Sequence, residues 1–293
     1  MQEFCFIQIH FEKIFDSYLR AIKLCLNWNS RIIKKIMAEK HYYEQREFTR
    51  NYLIPFFQEH IPDFKKLKVL EIGCAEGGLI EELISMGIDA SGIELDEKRV
   101  EIAHKKNPAL KIFVGDITDS KLIEKISNHL DFTSGFDFII MREVIEHIKN
   151  KKAAFENLNN LLNENGFLFI SFPPKYSPFA GHQQIGKSFL KAIPYLHLIP
   201  VFILKPVAKM LNEKDDYIDE IKLHFSTGCT IREFERLSKE YNFHKVKKDL
   251  YLFRPVYSIR FGLPTIKLPD IPLLSEFISF GCEVLLRKTN KGK

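Results

Sequence analysis

Between Leu67 and Phe172 the chain alternates short apolar runs with longer segments in which apolar residues recur every three or four positions. The short runs predict strands at Leu67 to Gly73, Ala90 to Leu95, Lys111 to Gly115, Phe136 to Met141 and Gly166 to Phe172. The segments between them predict helices over Gly78 to Met86, Glu97 to Lys106, Lys121 to Leu130 and Arg142 to Leu162, the last broken near Asn150. Strands separated by helices of this length form right-handed βαβ units and a parallel sheet covered on both faces. Phe138-Ile139-Ile140-Met141 is apolar throughout, as a central strand of such a sheet requires.

After Pro173-Pro174 the rhythm changes. Prolines at 194, 200 and 206 forbid one long helix, so short helices forming a cap are expected over about 175–229. The cap is apolar. It reads either as an insertion packed on the sheet edge, or as a lid over a substrate or a patch that meets a membrane. Thr230-Ile231-Arg232-Glu233 is a capping box opening a helix that runs to about Tyr241. His244 to Phe253 and Gly281 to Arg287 then read as strands, joined by a proline-rich connection. Residues 1–40 read as an amphipathic, basic helical extension. It is either a packed N-terminal helix, sequence ahead of a start at Met37, or a lid or membrane-surface helix.

Composition narrows the class. Over 293 residues, 45% hydrophobic and 13% aromatic content builds an ordinary core and argues against disorder. A formal charge of +5, spread rather than blocked, neither demands nor excludes nucleic acid. The five cysteines are odd in number and widely scattered, which argues against a disulfide framework or a cysteine zinc site and favours a reducing compartment. Neither a clean secretory leader nor an uninterrupted apolar span is visible, so the sequence predicts a cytoplasmic protein.

The first strand ends on an acid and breaks into Gly73-Cys74-Ala75-Glu76-Gly77-Gly78, ahead of a helix. A strand, a glycine-bearing turn and a helix N-terminus make a nucleotide-type cofactor site. NAD is disfavoured, because Glu71 would repel a pyrophosphate and the G-x-G-x-x-G spacing is missing. Gly92-Ile93-Glu94-Leu95 and Val114-Gly115-Asp116-Ile117 place further acids at the next two strand ends. With these elements the chain resembles the class I S-adenosylmethionine-dependent methyltransferases, over about residues 40–175 plus the closing helix and strands. The resemblance implies an α/β, doubly wound, mostly parallel seven-stranded Rossmann-like sheet with an antiparallel last strand. It also implies a methyltransferase domain over 41–293 carrying the cap. Its donor site would use Glu71, Gly73, Cys74, Gly77, Glu94, Leu95, Asp116, Ile117 and Arg142. Gly73 and Gly77 would let the loop approach the methionine moiety, Glu71 would meet its amino group, Glu94 the ribose hydroxyls and Asp116 the adenine amine. Ala75 stands where the family carries a glycine and asks only for a negative φ.

The fourth strand runs into Arg142-Glu143-Val144-Ile145-Glu146-His147. On a helix Glu143, Glu146 and His147 share one face, a plausible site for a divalent ion. The E-x-x-E-H pattern is similar to the metal motif of two methyltransferase branches, acting on small-RNA 3′ ends and in ubiquinone biosynthesis. His182 would complete the first branch's site, with Mg or Mn as the ion. Equally, His147 or His182 would serve as general base, or the acids would merely suit a helix N-terminus. The apolar cap favours O-methylation of a small or lipid-linked acceptor. RNA 3′-terminal ribose methylation and a non-enzymatic scaffold are the alternatives. Nucleic acid is disfavoured, for want of a dense basic-aromatic run.

Overall fold

The computed structural model describes residues 30–127 and 135–289, with side chains from residue 39 onward. Most of the N-terminal extension and the end of the helix expected through Leu130 lie outside the described residues. The strands are β1 (Lys68–Ile72), β2 (Asp89–Glu94), β3 (Lys111–Val114), β4 (Phe136–Arg142), β5 (Leu162–Phe172), β6 (Phe243–Phe253), β7 (Ile266–Leu268) and β8 (Gly281–Lys288). They form one eight-stranded sheet ordered β3-β2-β1-β4-β5-β8-β6-β7. The first five are mutually parallel, and β8 inserts antiparallel between β5 and β6. The edge strand β7, antiparallel to β6, is one more than expected. Three residues between Pro264 and Pro269 are too few to show alternation.

The helices that cover the sheet are α1 (Ser30–Phe48), α2 (Ile54–His60), α3 (Gly78–Ser85), α4 (Glu97–Lys106), α5 (Leu122–Ser127) and α6 (Lys151–Leu161). Alternation along β4 sends Phe138 and Ile140 to one face and Ile139 and Met141 to the other. The first face receives Leu79 and Leu83 of α3 and Phe57 of α2. The Phe57 ring meets Phe138 and Phe169 edge-on at 4.8 and 5.1 Å, a favoured aromatic geometry. The second face receives Phe155 and Leu158 of α6 and Phe234 of α9 (Ile231–Glu240). Thr230 caps α9 as expected, its hydroxyl accepting from the Glu233 N–H at 3.0 Å. Two more free N–H groups of α9, on Ile231 and Arg232, go to the Glu276 carboxylate of α10 (Leu274–Ile278), each at 3.0 Å.

Between β5 and α9 the chain makes short 3₁₀ turns, then α7 (Val201–Met210) and α8 (Tyr217–Thr227). These pack round a separate small core of Leu190, Leu196, Leu204, Ala208, Tyr217, Ile218 and Ile221. Pro206 sits inside α7 and removes one intrahelical N–H. Among the described residues, no helix is long and apolar enough to cross a membrane.

The helix expected from Arg142 begins later. Strand β4 continues through Arg142, Glu143 has φ +55°, and Ile145–His147 forms a single 3₁₀ turn. Helix α6 starts only at Lys151, where the Asn150 side chain accepts from the Ala153 N–H at 3.2 Å. Asn150 is the N-cap that stops the helix from extending backward.

Candidate functional site

A cavity of about 660 Å³ opens at the carboxyl ends of β1 to β4, where parallel sheets place their ligands. The β1 turn forms one wall. Gly73 has φ +71°, and a Cβ there would stand 2.3 Å from Val144 Cγ2. Ala75 also has positive φ, +52°, against the expectation of a negative one. Its N–H donates to Glu94 Oε2 at 2.8 Å, which holds the turn in this costly conformation. Glu94 Oε1 accepts from the Asp96 N–H at 2.9 Å, so the β2 acid is fixed from both sides. Asp116 Oδ1 accepts from the N–H and hydroxyl of Thr118 at 2.8 Å each.

Of the expected donor residues, Gly73, Glu94, Leu95, Asp116, Ile117 and Arg142 line this cavity. Glu71, Cys74 and Gly77 do not. Glu71 is buried behind Arg142, whose Nη2 donates to its Oε1 at 3.1 Å. Burial pushes the Glu71 carboxyl up, against the pull of that guanidinium. On this wall Arg142, rather than Glu71, faces the cavity. Cys74 is buried inward, its Sγ 2.6 Å from where a Cβ on Gly92 would stand. Gly77 faces Ile112, 2.6 Å from the position a Cβ would take, and serves the packing of α3.

Helix α1 roofs the cavity with His41, Glu44, Gln45 and Phe48. It is tied to α3 by Arg46, and the turn that follows it by Arg50, whose Nε atoms lie 3.1 and 2.7 Å from the buried Glu82 carboxylate. Gln45 Oε1 accepts from the Gly78 N–H at 3.3 Å. His41 Nδ1 lies 2.8 Å from Glu76 Oε2. Burial would raise the Glu76 carboxyl, but the His41 hydrogen bond and Arg99 outweigh it and the net direction is down. The sequence pattern marked α1 only as an amphipathic extension. These contacts span more than thirty positions along the chain, beyond the reach of local periodicity.

The far end of the cavity carries an apolar wall of Leu53, Phe169 and Val256 and a polar floor. In that floor Arg254 forms a fork with Glu143, Nη1 to Oε2 at 2.8 Å and Nη2 to Oε1 at 2.5 Å. Gly281 makes room for it, since a Cβ there would lie 2.7 Å from Arg254 Cδ. Beside it the Tyr52 hydroxyl donates to Glu283 Oε2 at 2.7 Å and lies 2.7 Å from the Tyr251 hydroxyl. Tyr52 belongs to a π-type turn, Thr49–Leu53, set between α1 and α2. Such turns shift side-chain direction inside a helix and recur at functional sites. Arg254, Glu283 and Tyr52 were not anticipated from sequence.

Glu143, Glu146 and His147 do not share a helix face. Positive φ at Glu143 turns its carboxylate to Arg254. Glu146, His147 and His182 do converge, offering ligand atoms all within 4.8 Å of one another. His224 joins them from α8, stacked on His182 with ring centroids 4.3 Å apart and 5.2 Å from His147. Both Glu146 oxygens are buried without a hydrogen-bond partner. Burial, then Glu143, pushes its carboxyl well up. Burial and the neighbouring His224 hold His147 below the ordinary imidazole value, and push His182 down to about 4. His147 lines the cavity; His182 stands outside its lining.

Fold and site together define a Rossmann-like methyltransferase architecture. The chain matches the family model described as a methyltransferase domain over residues 41–248, and it belongs to that family. It is similar to ubiquinone biosynthesis O-methyltransferases. That of Glaesserella parasuis is 34% identical over 194 residues, covering 64% of this chain and 74% of that protein. That of Rickettsia canadensis is 30% identical over 191 residues, covering 64% and 72%. That of Pelagibacter ubique is 31% identical over 109 residues, covering only 36% and 42%. The plantazolicin methyltransferase BpumL, solved in complex with SAH, shares the fold with a TM-score of 0.51 at 16% identity, covering 96% of this chain and all of that one. The protein is thus a methyltransferase with S-adenosylmethionine as its donor, and the NAD and scaffold readings fall.

Proposed function

We propose that the enzyme methylates a hydroxyl on a small or lipid-linked aromatic acceptor. The observation that carries this is one cavity that joins the donor acids Glu94 and Asp116 to an apolar wall of Leu53, Phe169 and Val256 above a buried polar floor. That wall suits an apolar ring better than a phosphate backbone. The relatives' names point the same way. When bound, S-adenosylmethionine supplies an electrophilic methyl group on a sulfonium. In-line displacement depends chiefly on positioning, which here falls to the Gly73 turn, Glu94, Arg142 and the α1 roof. Purified protein with donor and dodecylcatechol should yield an O-methylated product by mass spectrometry. Transfer to the 3′ end of a short RNA, with none to the catechol, would replace this reading.

Glu146, His147 and His182 are proposed to hold a divalent cation such as Mn or Mg. A cation site needs neutral imidazoles and a carboxylate that a bound cation can keep ionised, and the orphaned Glu146 oxygens, whose charge nothing else there offsets well, fit that donor set. There the ion would polarise an acceptor oxygen. An imidazole pushed down to about 4, as His182 is, makes a weak base and an available ligand. Mn(II) titration followed by electron paramagnetic resonance should show one bound ion. Glu146→Gln and His182→Ala should each weaken it about tenfold or more; unchanged affinity in both would remove the site.

The exposed face of α7, with Phe202, Ile203 and Met210 beside Lys205 and Lys209, is proposed to touch a lipid surface where such an acceptor resides. The buried cysteines Cys74, Cys229 and Cys282 are unpaired, which supports a reducing, cytoplasmic setting.

A further inference from the structure

Glu283 sits in β8, the last strand along the chain, yet it lines the same cavity as the Gly73 turn. Strand register explains how. Arg142 of β4 pairs with Ser171 of β5, and Ser171 pairs with Glu283 of β8. The three side chains form a row across the cavity, the outer two separated by two strand spacings, about 10 Å. That leaves room for an acceptor between the donor side and the carboxylate.

A buried acid is costly unless its charge is matched. Glu283 is only 4% exposed, and among the described residues no ion pair reaches it. Arg254, the nearby cation, spends its fork on Glu143 instead. Tyr52 holds Oε2, and its own hydroxyl is held against Tyr251. The carboxylate is therefore fixed in direction but not neutralised. A purely structural strand acid would gain from the opposite arrangement.

We propose that Glu283 is the general base that takes the proton of a phenolic acceptor hydroxyl in this cavity. The proposal rests on the reading of the enzyme as an O-methyltransferase acting there. The acceptor O–H bond breaks and its proton moves to Glu283. The oxygen lone pair forms the new O–CH₃ bond. The S–CH₃ electron pair returns to sulfur, leaving a neutral thioether, and Glu283 later releases the proton to water.

The charged and titratable groups around Glu283 set its proton affinity. Burial pushes it up to about 7, while Tyr52 and Arg254 pull down and Glu143 and Asp249 push up. Tyr251 and Tyr52 are themselves pushed above the ordinary phenol value by burial and by Glu283, so both stay protonated donors. A base that titrates near neutrality is suited to a phenol. The rate should accordingly rise with pH through about 7, as Glu283 loses its proton.

The test compares wild type with Glu283→Gln, which keeps the shape and an oxygen for Tyr52. Two probes are used at mildly alkaline pH: dodecylcatechol, which must lose a proton, and dodecylthiophenol, already largely ionised. Donor binding, read by thermal shift with S-adenosylmethionine, should be unchanged. Catechol kcat should fall about 100-fold and lose its rise through neutral pH, while thiophenol transfer stays within about twofold. Equal catechol rates in the two proteins, or a parallel loss on both probes, would overturn the assignment. If wild type itself gives no O-methyl product, the O-methyltransferase reading falls first and the base with it.

Discussion

Gly73 carries the tightest constraint in the donor wall. It combines φ +71° with a 2.3 Å approach to Val144. Gly73→Ala therefore meets both backbone strain and a clash against the segment that bears Glu143. It should cost about 2 kcal/mol of stability and at least about tenfold in donor affinity, read by urea unfolding and calorimetric titration. Ala75 is the converse. A β-carbon already sits at φ +52°, so Ala75→Gly should be neutral or stabilise by up to about 1 kcal/mol. A loss above that would mean the turn depends on the Ala75 methyl. Residues of this kind were legible in sequence, because strand-end acids and turn glycines repeat with each βα unit. Glu283 and Tyr52 were not: they are 231 positions apart and meet only where the π-type turn packs against β8.

At the scale of elements, the misreading of E-x-x-E-H has a local cause. The string has helical spacing, but the chain leaves β4 through a positive φ at Glu143 and begins α6 only after its Asn150 cap. The signal for that boundary was the Asn itself, three residues beyond the histidine. Ligand convergence then comes from loop residues 146, 147 and 182, not from one helix face. The cap is a second element with its own logic. Its core is separate from the sheet's, and His197 is fully buried beside it. Burial, with Lys222 nearby, pushes that imidazole from 6.5 down to about 4. In the unfolded cap His197 takes a proton below about 6.5, in the folded cap only below about 4. Stability is thus lost as pH falls through that window. Protection factors in residues 181–227, which correct for the slower intrinsic exchange at low pH, should fall about tenfold on acidification while those in β1 to β5 hold. His197→Leu should lessen that response, leaving the share of His182 and His224, and an unaltered pH profile in this variant would assign the effect to those two.

For the molecule as a whole, the exposed apolar side chains are unevenly spread. Phe202 and Met210 are 78% and 74% exposed on one helix that also carries Lys205 and Lys209. With a net charge of +5, this face should bring the protein to vesicles containing phosphatidylglycerol. Phe202→Asp with Met210→Asp should lower co-sedimentation about tenfold without changing donor binding. Equal sedimentation of variant and wild type would dismiss α7 as the contact.

The polar floor formed by Arg254 and Glu283 has a consequence for how this enzyme and its relatives diverge. The family match ends at residue 248, and both floor residues lie beyond it. The donor end of the cavity is thus written in the stretch shared across the family. At the far end Arg254, Val256 and Glu283 come from the chain after 248, while Leu53, Glu143 and Phe169 lie within the matched stretch. On the proposed reading, choice of acceptor can drift in the segment after 248 while the methyl donor stays fixed. Differences in substrate among similar proteins should be sought in that segment, not in the glycine turn that announces the family.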